Sequence, residues 1–336
     1  MHEAYFSLGN HGKEGISTLH PLKNTLDSYL NNNQTGRVYV FLESANLNEF
    51  HARAVSLLVD KGLTAMKAFA VVDYVAENEE VPLPEQLEGN FKKWKRRNGA
   101  FWVRELELIS DVQERHYDPI KYPVPRVGVV MENRPDHELE EVEKQKKRRK
   151  RLSKKAMSLV DQGMLDEGLV PFKEEVVSFT AECIARKSRL VGQIDEVLQK
   201  PDALAVVSIL GPAHTPEAYE IRARGYKTSV EIRGREGHTY WFDSYSALIR
   251  HCVQFGTESL SPLDWYRGMI GSRMNFLFVQ MAGVESLGVS YQELTRMGSI
   301  FLRERFQTEI DIRNFEIKVR EMGFDNAITA FANESV

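Results

Sequence analysis

Three residues able to do acid-base chemistry share one kind of setting. His11 follows the short apolar run "AYFSLGN", with Gly9 just before it; Glu43 ends "VYVFLE", residues 38–43; His214 follows "LAVVSILGPA", with Gly211 close behind. Each run reads as a β-strand, and each polar residue stands where its strand gives out. An imidazole oriented by a carboxylate is a general base for water. The same His11, Glu43 and His214 are also a ligand set for a divalent metal ion, which would lower the pKa of bound water. Gly9 and Gly211 suit a backbone that turns sharply or approaches a ligand closely. Singly, a histidine at a strand end is a hydrogen-bonded loop residue, and Glu43 is favoured by the positive end of the helix that follows it. The same placement in both halves of the chain makes a shared site the better joint reading.

In an open α/β sheet, ligands bind beyond the carboxyl ends of the strands, so the surrounding elements decide whether the three residues meet. Leu19, Leu22, Leu26, Tyr29 and Leu30 form one stripe of a helix over 19–30. Residues 37–44 are a nearly continuous apolar strand of the kind covered on both faces. A helix follows, with Asn46 as its N-cap, Glu49 completing a capping box and Gly62 past its end. This order implies a parallel pair joined by a right-handed crossover. Residues 126–132 form a further strand. Later, "LAVVSIL" at 204–210 is a strand, Thr215 caps a helix with Pro216 in its first turn, Gly225 ends it, and 227–232 is another strand. Between the halves, a charged helix starts near Glu138 and a second runs from Phe172 to Lys200, stopped by Pro201. The predicted fold class is α/β: a central, mostly parallel sheet flanked by helices, in two similar halves, with an extra helical C-terminal region. Residues 1–235 form the core, with a charged helical insertion around 136–170; residues 236–336 are mainly helical and pack on it.

Composition narrows the function classes. The chain has 336 residues, 42% of them hydrophobic, enough to bury a core. Its two cysteines, Cys183 and Cys252, exclude a disulfide framework and have no zinc-site spacing. No secretory signal opens the chain, and "MNFLFVQMAGV", residues 274–284, is too short to span a bilayer. A soluble, cytoplasmic protein without membrane contact is expected. The net charge is −4, yet residues 144–155 hold nine basic groups, leaving 35 basic against 48 acidic elsewhere. The remainder is no general polyanion binder. "NFKKWKRRNGAFW", residues 90–102, reads as a basic loop leading into a Phe101–Trp102 strand. No G-x-S-x-G, G-x-x-x-x-G-K-[ST] or strand-linked G-x-G-x-x-G occurs.

Four stretches together resemble the superfamily that unites erythromycin esterases, ChaN-like haem-associated lipoproteins, and the TraB and Tiki proteins. "LGNHG", residues 8–12, resembles its first Gly-and-His motif, "VYVFLES", residues 38–44, its glutamate strand, and "ILGPAHT", residues 209–215, its later G-x-x-H motif. "ARKSRLVGQI", residues 185–194, resembles its helix R-N-x-x-M-A-x-x-I, with Arg186 and Ile194 matching, Leu190 in place of Met and Lys187 in place of Asn. The esterases' longer G-E-x-x-H segment is absent, since Asn10 alone separates Gly9 from His11. The resemblance implies an α/β sandwich with its site between the halves, lined by His11, Glu43 and His214, with Gly9 and Gly211, and with Arg186 near enough to bind an anionic group. It also implies ester hydrolysis by activated water, metal-dependent peptide cleavage, or ligand binding. The expected function is a hydrolase that acts on an ester or peptide-like bond of a small molecule or peptide. The rivals are a binding protein for a haem-like or other anionic ligand, and a nucleic-acid-associated factor using residues 92–97 and 144–155. The C-terminal helices are expected to form a lid or a homodimer surface.

Overall fold

Runs rich in Val, Leu, Phe and Ala become strands when both of their faces can be buried; four do so here, and the more exposed run Lys227–Arg233 joins them as a fifth. The computed structural model describes residues 2–9, 19–32, 35–43, 48–78, 99–211, 214–233, 244–282 and 291–333. Strands β1 (Glu3–Gly9), β2 (Arg37–Leu42), β3 (Val127–Met131), β4 (Ala203–Leu210) and β5 (Lys227–Arg233) form one all-parallel sheet in the order β3-β2-β4-β1-β5. The α/β class is as the sequence predicts. The pairing of β1 with β2 is not: β4 lies between them, with Ser208 in register with Phe6 on one side and Phe41 on the other.

Alternation sorts the strand residues onto two faces. Val38, Val40 and Leu42 of β2 share a core with Leu22, Leu26 and Leu30 of α1 (Leu19–Asn32) and with Val55 and Val59 of α2 (Glu49–Asp60). The same core takes Ala65 and Ala68 of α3 (Ala65–Asn78) and Leu106, Ile109 and Val112 of α4 (Gly99–Arg115). On the other face, Phe6, Phe41, Val206 and Leu210 pack against Leu190 and Ile194 of α6 (Leu165–Leu198) and Ala218 and Ile221 of α7 (Thr215–Ala223). The crossovers from β1 to β2 and from β4 to β5 run in opposite directions, and the right-handed rule for such connections then puts them on opposite faces. The end of β4 is therefore flanked on both sides by strands whose chains leave toward the other face. That divergence opens a crevice at the carboxyl end of a sheet.

Three local expectations are corrected. Helix α2 is capped by Asn48, whose Oδ1 accepts from His51 N at 2.9 Å, because Asn48 is still extended and bridges Arg134; Glu49 is then the first helical residue, and Asn46 lies outside the described residues. Phe101 and Trp102 belong to helix α4, since Leu106, Ile109 and Val112 recur at helical spacing on its buried face. Helix α6 begins at Leu165 rather than Phe172 and contains Pro171, because Leu165, Leu169, Phe172 and Val176 form one stripe buried in a common core.

The chain divides into two units, residues 1–140 with 187–235 and residues 141–186 with 236–336. Beyond Glu140, the charged segment expected as an insertion into the core thus belongs with the C-terminal helices. That second unit is all-helical among its described residues. It contains most of α5 (Asp136–Asp161), the first part of α6, α8 (Ser244–Phe255), α9 (Pro262–Ala282), α10 (Tyr291–Arg305), α11 (Glu309–Met322) and α12 (Phe324–Asn333). Phe172, Trp265, Met269, Phe306, Phe315 and Phe331 anchor its core. Thr308 and Asp311 close a capping box on α11. No helix among the described residues is long and apolar enough to cross a membrane.

Candidate functional site

The parallel register of β2 and β4 brings two distant stretches to one edge. Leu42 pairs with Ile209, and the ladder continues one step further, with Glu43 N donating to Ile209 O at 3.3 Å. Glu43 follows Tyr39 and Phe41 in the strand alternation, so its side chain leaves toward the face that α7 covers. There Glu43 Oε2 accepts from Gly211 N at 2.6 Å, and Glu43 Oε1 lies 3.2 Å from His214 Nε2. The other ring nitrogen, Nδ1, is 2.9 Å from Glu217 Oε1.

His214, expected to precede the cap, is itself the N-cap of α7, in place of Thr215. Its side chain makes no capping bond, because both nitrogens are committed to carboxylates. Its backbone, at φ −90° and ψ 21°, lies in the bridge region where many active-site residues are found. Glu217, in the first turn of that helix, gains from the helix's positive end. His214 is 7% exposed and Glu217 4%, whereas Glu43 is only partly buried. Glu43 is thus the most accessible member of the trio.

Burial alone would depress the pKa of His214, but the hydrogen bonds from Glu217 and Glu43 and their charges outweigh it, and the ring is pushed up to about 9. At neutral pH His214 is an imidazolium donating from both nitrogens. The second oxygen of Glu217 is buried with no hydrogen-bond partner among the described residues, as is Ser208 Oγ on β4. These orphaned atoms mark a polar interior that its own side chains do not saturate.

This arrangement has definite chemical limits. While protonated, the ring has no lone pair for a metal or a haem iron, so either would have to displace its proton, and the trio sets two carboxyl groups against one cation, which opposes an anionic ligand. Among the described residues no group of three or more His, Cys, Asp and Glu has the arrangement that holds a metal ion. What the trio can do is hold water at Glu43 and donate a proton from His214.

Of the expected residues, the structure unites Glu43, His214 and Gly211. His11 lies outside the described residues, and Gly9 ends β1 next to β4. Arg186 falls in the second unit. In the first unit α6 carries Lys187, 3.2 Å from Glu220, and Arg189, at 2.5 Å from Glu138 and 4.0 Å from Glu132, the wholly buried residue that follows β3. Glu217 is absent from the sequence reading. Its signal is the spacing His214-x-x-Glu217 across a helix start, which places both side chains on one turn.

The basic run 144–155 lies on α5 and divides in two. Lys144, Lys146, Arg148 and Arg149 pair with Glu141, Glu143, Glu174 and Glu182. Lys147, Lys150, Arg151, Lys154 and Lys155 are exposed and make no ion pair among the described residues. Residues 92–97 lie outside the described residues. No family model, curated protein or solved structure matches this chain.

Proposed function

We propose that the protein is a hydrolase that activates water at the Glu43–His214 pair. The observation that carries this reading is the buried Glu217–His214–Glu43 relay at the carboxyl edge of the sheet, beside the strand where the chain exits diverge. With His214 protonated, the base of the pair is Glu43. Glu43 takes a proton from water as the water oxygen attacks the carbonyl carbon of an ester. The His214 Nε2–H group stabilises the oxyanion and then protonates the departing alkoxide. The acid and the alcohol leave, and the proton on Glu43 passes to the neutral imidazole across the hydrogen bond that already joins them, restoring both groups. Glu217 keeps the ring in place and supports its charge, as a positioning residue. The order of the Gly-His, Glu and G-x-x-H motifs along the sequence is what supports a relation to the erythromycin esterase, ChaN-like and TraB–Tiki superfamily.

The test is hydrolysis of p-nitrophenyl acetate and butyrate by the purified chain and by Glu43→Gln and His214→Asn. Loss of the general base is expected to lower kcat/KM by about 10²–10⁴-fold. Activity unchanged in both variants would overturn the assignment.

The exposed face of α5 favours a second reading. Lys147, Lys150, Arg151, Lys154 and Lys155 recur at helical spacing and form one basic stripe that is unpaired among the described residues, a surface suited to the phosphates of a nucleic acid. This reading predicts oligonucleotide binding whose log affinity falls with log salt at a slope of about −3.5 to −4.5 for five contacts. A flat salt dependence would remove it.

A further inference from the structure

The second unit contains a cavity of about 420 Å³ between α8, α9 and α10, within the range of small-molecule sites. Its walls are mainly apolar, with Ala247 and Leu248 from α8, Leu260 from the loop before α9, and Leu302 from α10. Gly268 of α9 lets the helices approach closely, since a Cβ there would stand 2.7 Å from Leu248 Cδ2. The polar groups collect on the faces of α9 and α10, where Asp264, Arg267, Ser299 and Arg303 line the cavity.

Those polar groups are not equally engaged. Asp264 Oδ2 accepts from Ser261 N and Oγ at 3.1 and 2.6 Å, holding the start of α9, while Asp264 Oδ1 is 3.6 Å from Arg267. Arg267 also donates from Nε to Phe306 O at 2.8 Å. His251, on the α8 side, is tied to Ser259 Oγ at 2.8 Å. By contrast, Arg303 is exposed and makes no hydrogen bond or ion pair among the described residues. An apolar chamber whose rim carries two guanidinium groups against one carboxylate complements a molecule with an apolar body and an acidic head. We infer that this cavity binds a small amphipathic carboxylate, its chain among Leu248, Leu260 and Leu302 and its carboxylate on Arg303. The planar fork of Arg303 suits bidentate pairing with such a head.

Calorimetric titration of the full chain with octanoate, octanol and octylamine tests this. Octanoate is expected to bind at least tenfold more tightly than octanol, with octylamine weakest. Arg303 is exposed, so Arg303→Gln will fold, and it should weaken octanoate at least tenfold while leaving octanol unchanged; Arg303→Lys should recover part of the loss. Ala247→Phe fills the chamber and should abolish binding of both. Octanol binding as tightly as octanoate, octanoate binding indifferent to Arg303→Gln, or no binding of octanoate at millimolar concentration would each overturn the inference. Glu43→Gln should bind octanoate as the unaltered chain does, which separates this cavity from the hydrolytic pair.

Discussion

His214 Nε2 stands 3.2 Å from Glu43 Oε1 although the two residues are 171 positions apart. The parallel pairing of β2 with β4 sets this distance, because Leu42 and Ile209 share a register and each acidic or basic residue follows just past its strand. Gly211 N fixes the second carboxylate oxygen, so Glu43 cannot rotate away without losing a charge-assisted hydrogen bond. Glu217 completes the clamp on the ring from the opposite nitrogen.

The first prediction concerns the charge on that ring. NMR titration of His214 should report a pKa near 9, raised above the ordinary 6.5. A folded-state pKa above the unfolded value means that the group's stabilisation is complete below about 6.5 and is lost as pH rises through about 9. The protein should therefore lose stability, on the order of 3 kcal/mol from this group, between those limits. Urea denaturation at pH 6 and pH 9.5 measures it. A His214 titrating at or below 6.5 would show that burial, and not the carboxylates, governs the ring.

The second prediction separates orientation from chemistry. Glu217→Gln keeps a hydrogen-bond acceptor at Nδ1 but removes a charge, so the imidazolium should lose its proton more readily and the alkaline limb of the ester pH–rate profile should move at least one unit lower. KM should stay within about twofold, since Glu217 touches no substrate in this scheme, while kcat falls. An unmoved alkaline limb would show that Glu217 only packs.

The two-sided burial of the sheet is the reason so much of it was legible. Strands covered on both faces are almost purely apolar, and four of these runs are legible for that reason; Lys227–Arg233 is legible from its alternation instead. Glu43, Gly211 and His214 were legible for the same reason, as polar residues at the ends of such runs. Strand order was not legible, because nothing in β1 or β2 encodes that β4 enters between them. Glu217 was hidden because a glutamate in a first helical turn is ordinary, and only the fold turns it toward a buried ring. The division of α5 and α6 between two units was hidden as well, since their charge pattern is continuous across Glu140.

A third prediction tests what holds the opposite end of the sheet. Arg37, 9% exposed, donates to Pro125 O at 2.8 Å and to Asp60 Oδ1 at 2.6 Å, and its guanidinium sits 4.9 Å from the Tyr39 ring centroid. Arg37→Met leaves the Pro125 carbonyl unpaired and should cost about 3 kcal/mol in urea denaturation. Asp60→Asn should cost under about 1 kcal/mol, because the Asp60 side chain is 43% exposed. Ester hydrolysis by either folded variant should be unchanged, since Arg37 begins β2 and Glu43 follows its far end. A large stability loss for Asp60→Asn alone would show that the ion pair, not the carbonyl contact, dominates.

The last prediction concerns the basic stripe of α5. Arg151 has Lys147, Arg148, Lys154 and Lys155 as its neighbours three and four residues away, so it sits among like charges on one helix face. Each such pair costs a few tenths of a kcal/mol, and a glutamate N-terminal to a lysine at this spacing is favourable. Arg151→Glu should therefore raise stability by about 1 kcal/mol, a gain that 1 M salt should largely erase. Arg149, on the same helix, should behave in the opposite way. It is buried, pairs with Glu182 at 2.6 Å and lies 4.9 Å from the Phe179 ring centroid, so Arg149→Met should destabilise. If Arg151→Glu stabilises and also abolishes salt-dependent oligonucleotide binding, the stripe is a surface kept for a partner at a cost in stability. If it stabilises and no such binding exists to be lost, the stripe is a solvated helix face and the second functional reading falls.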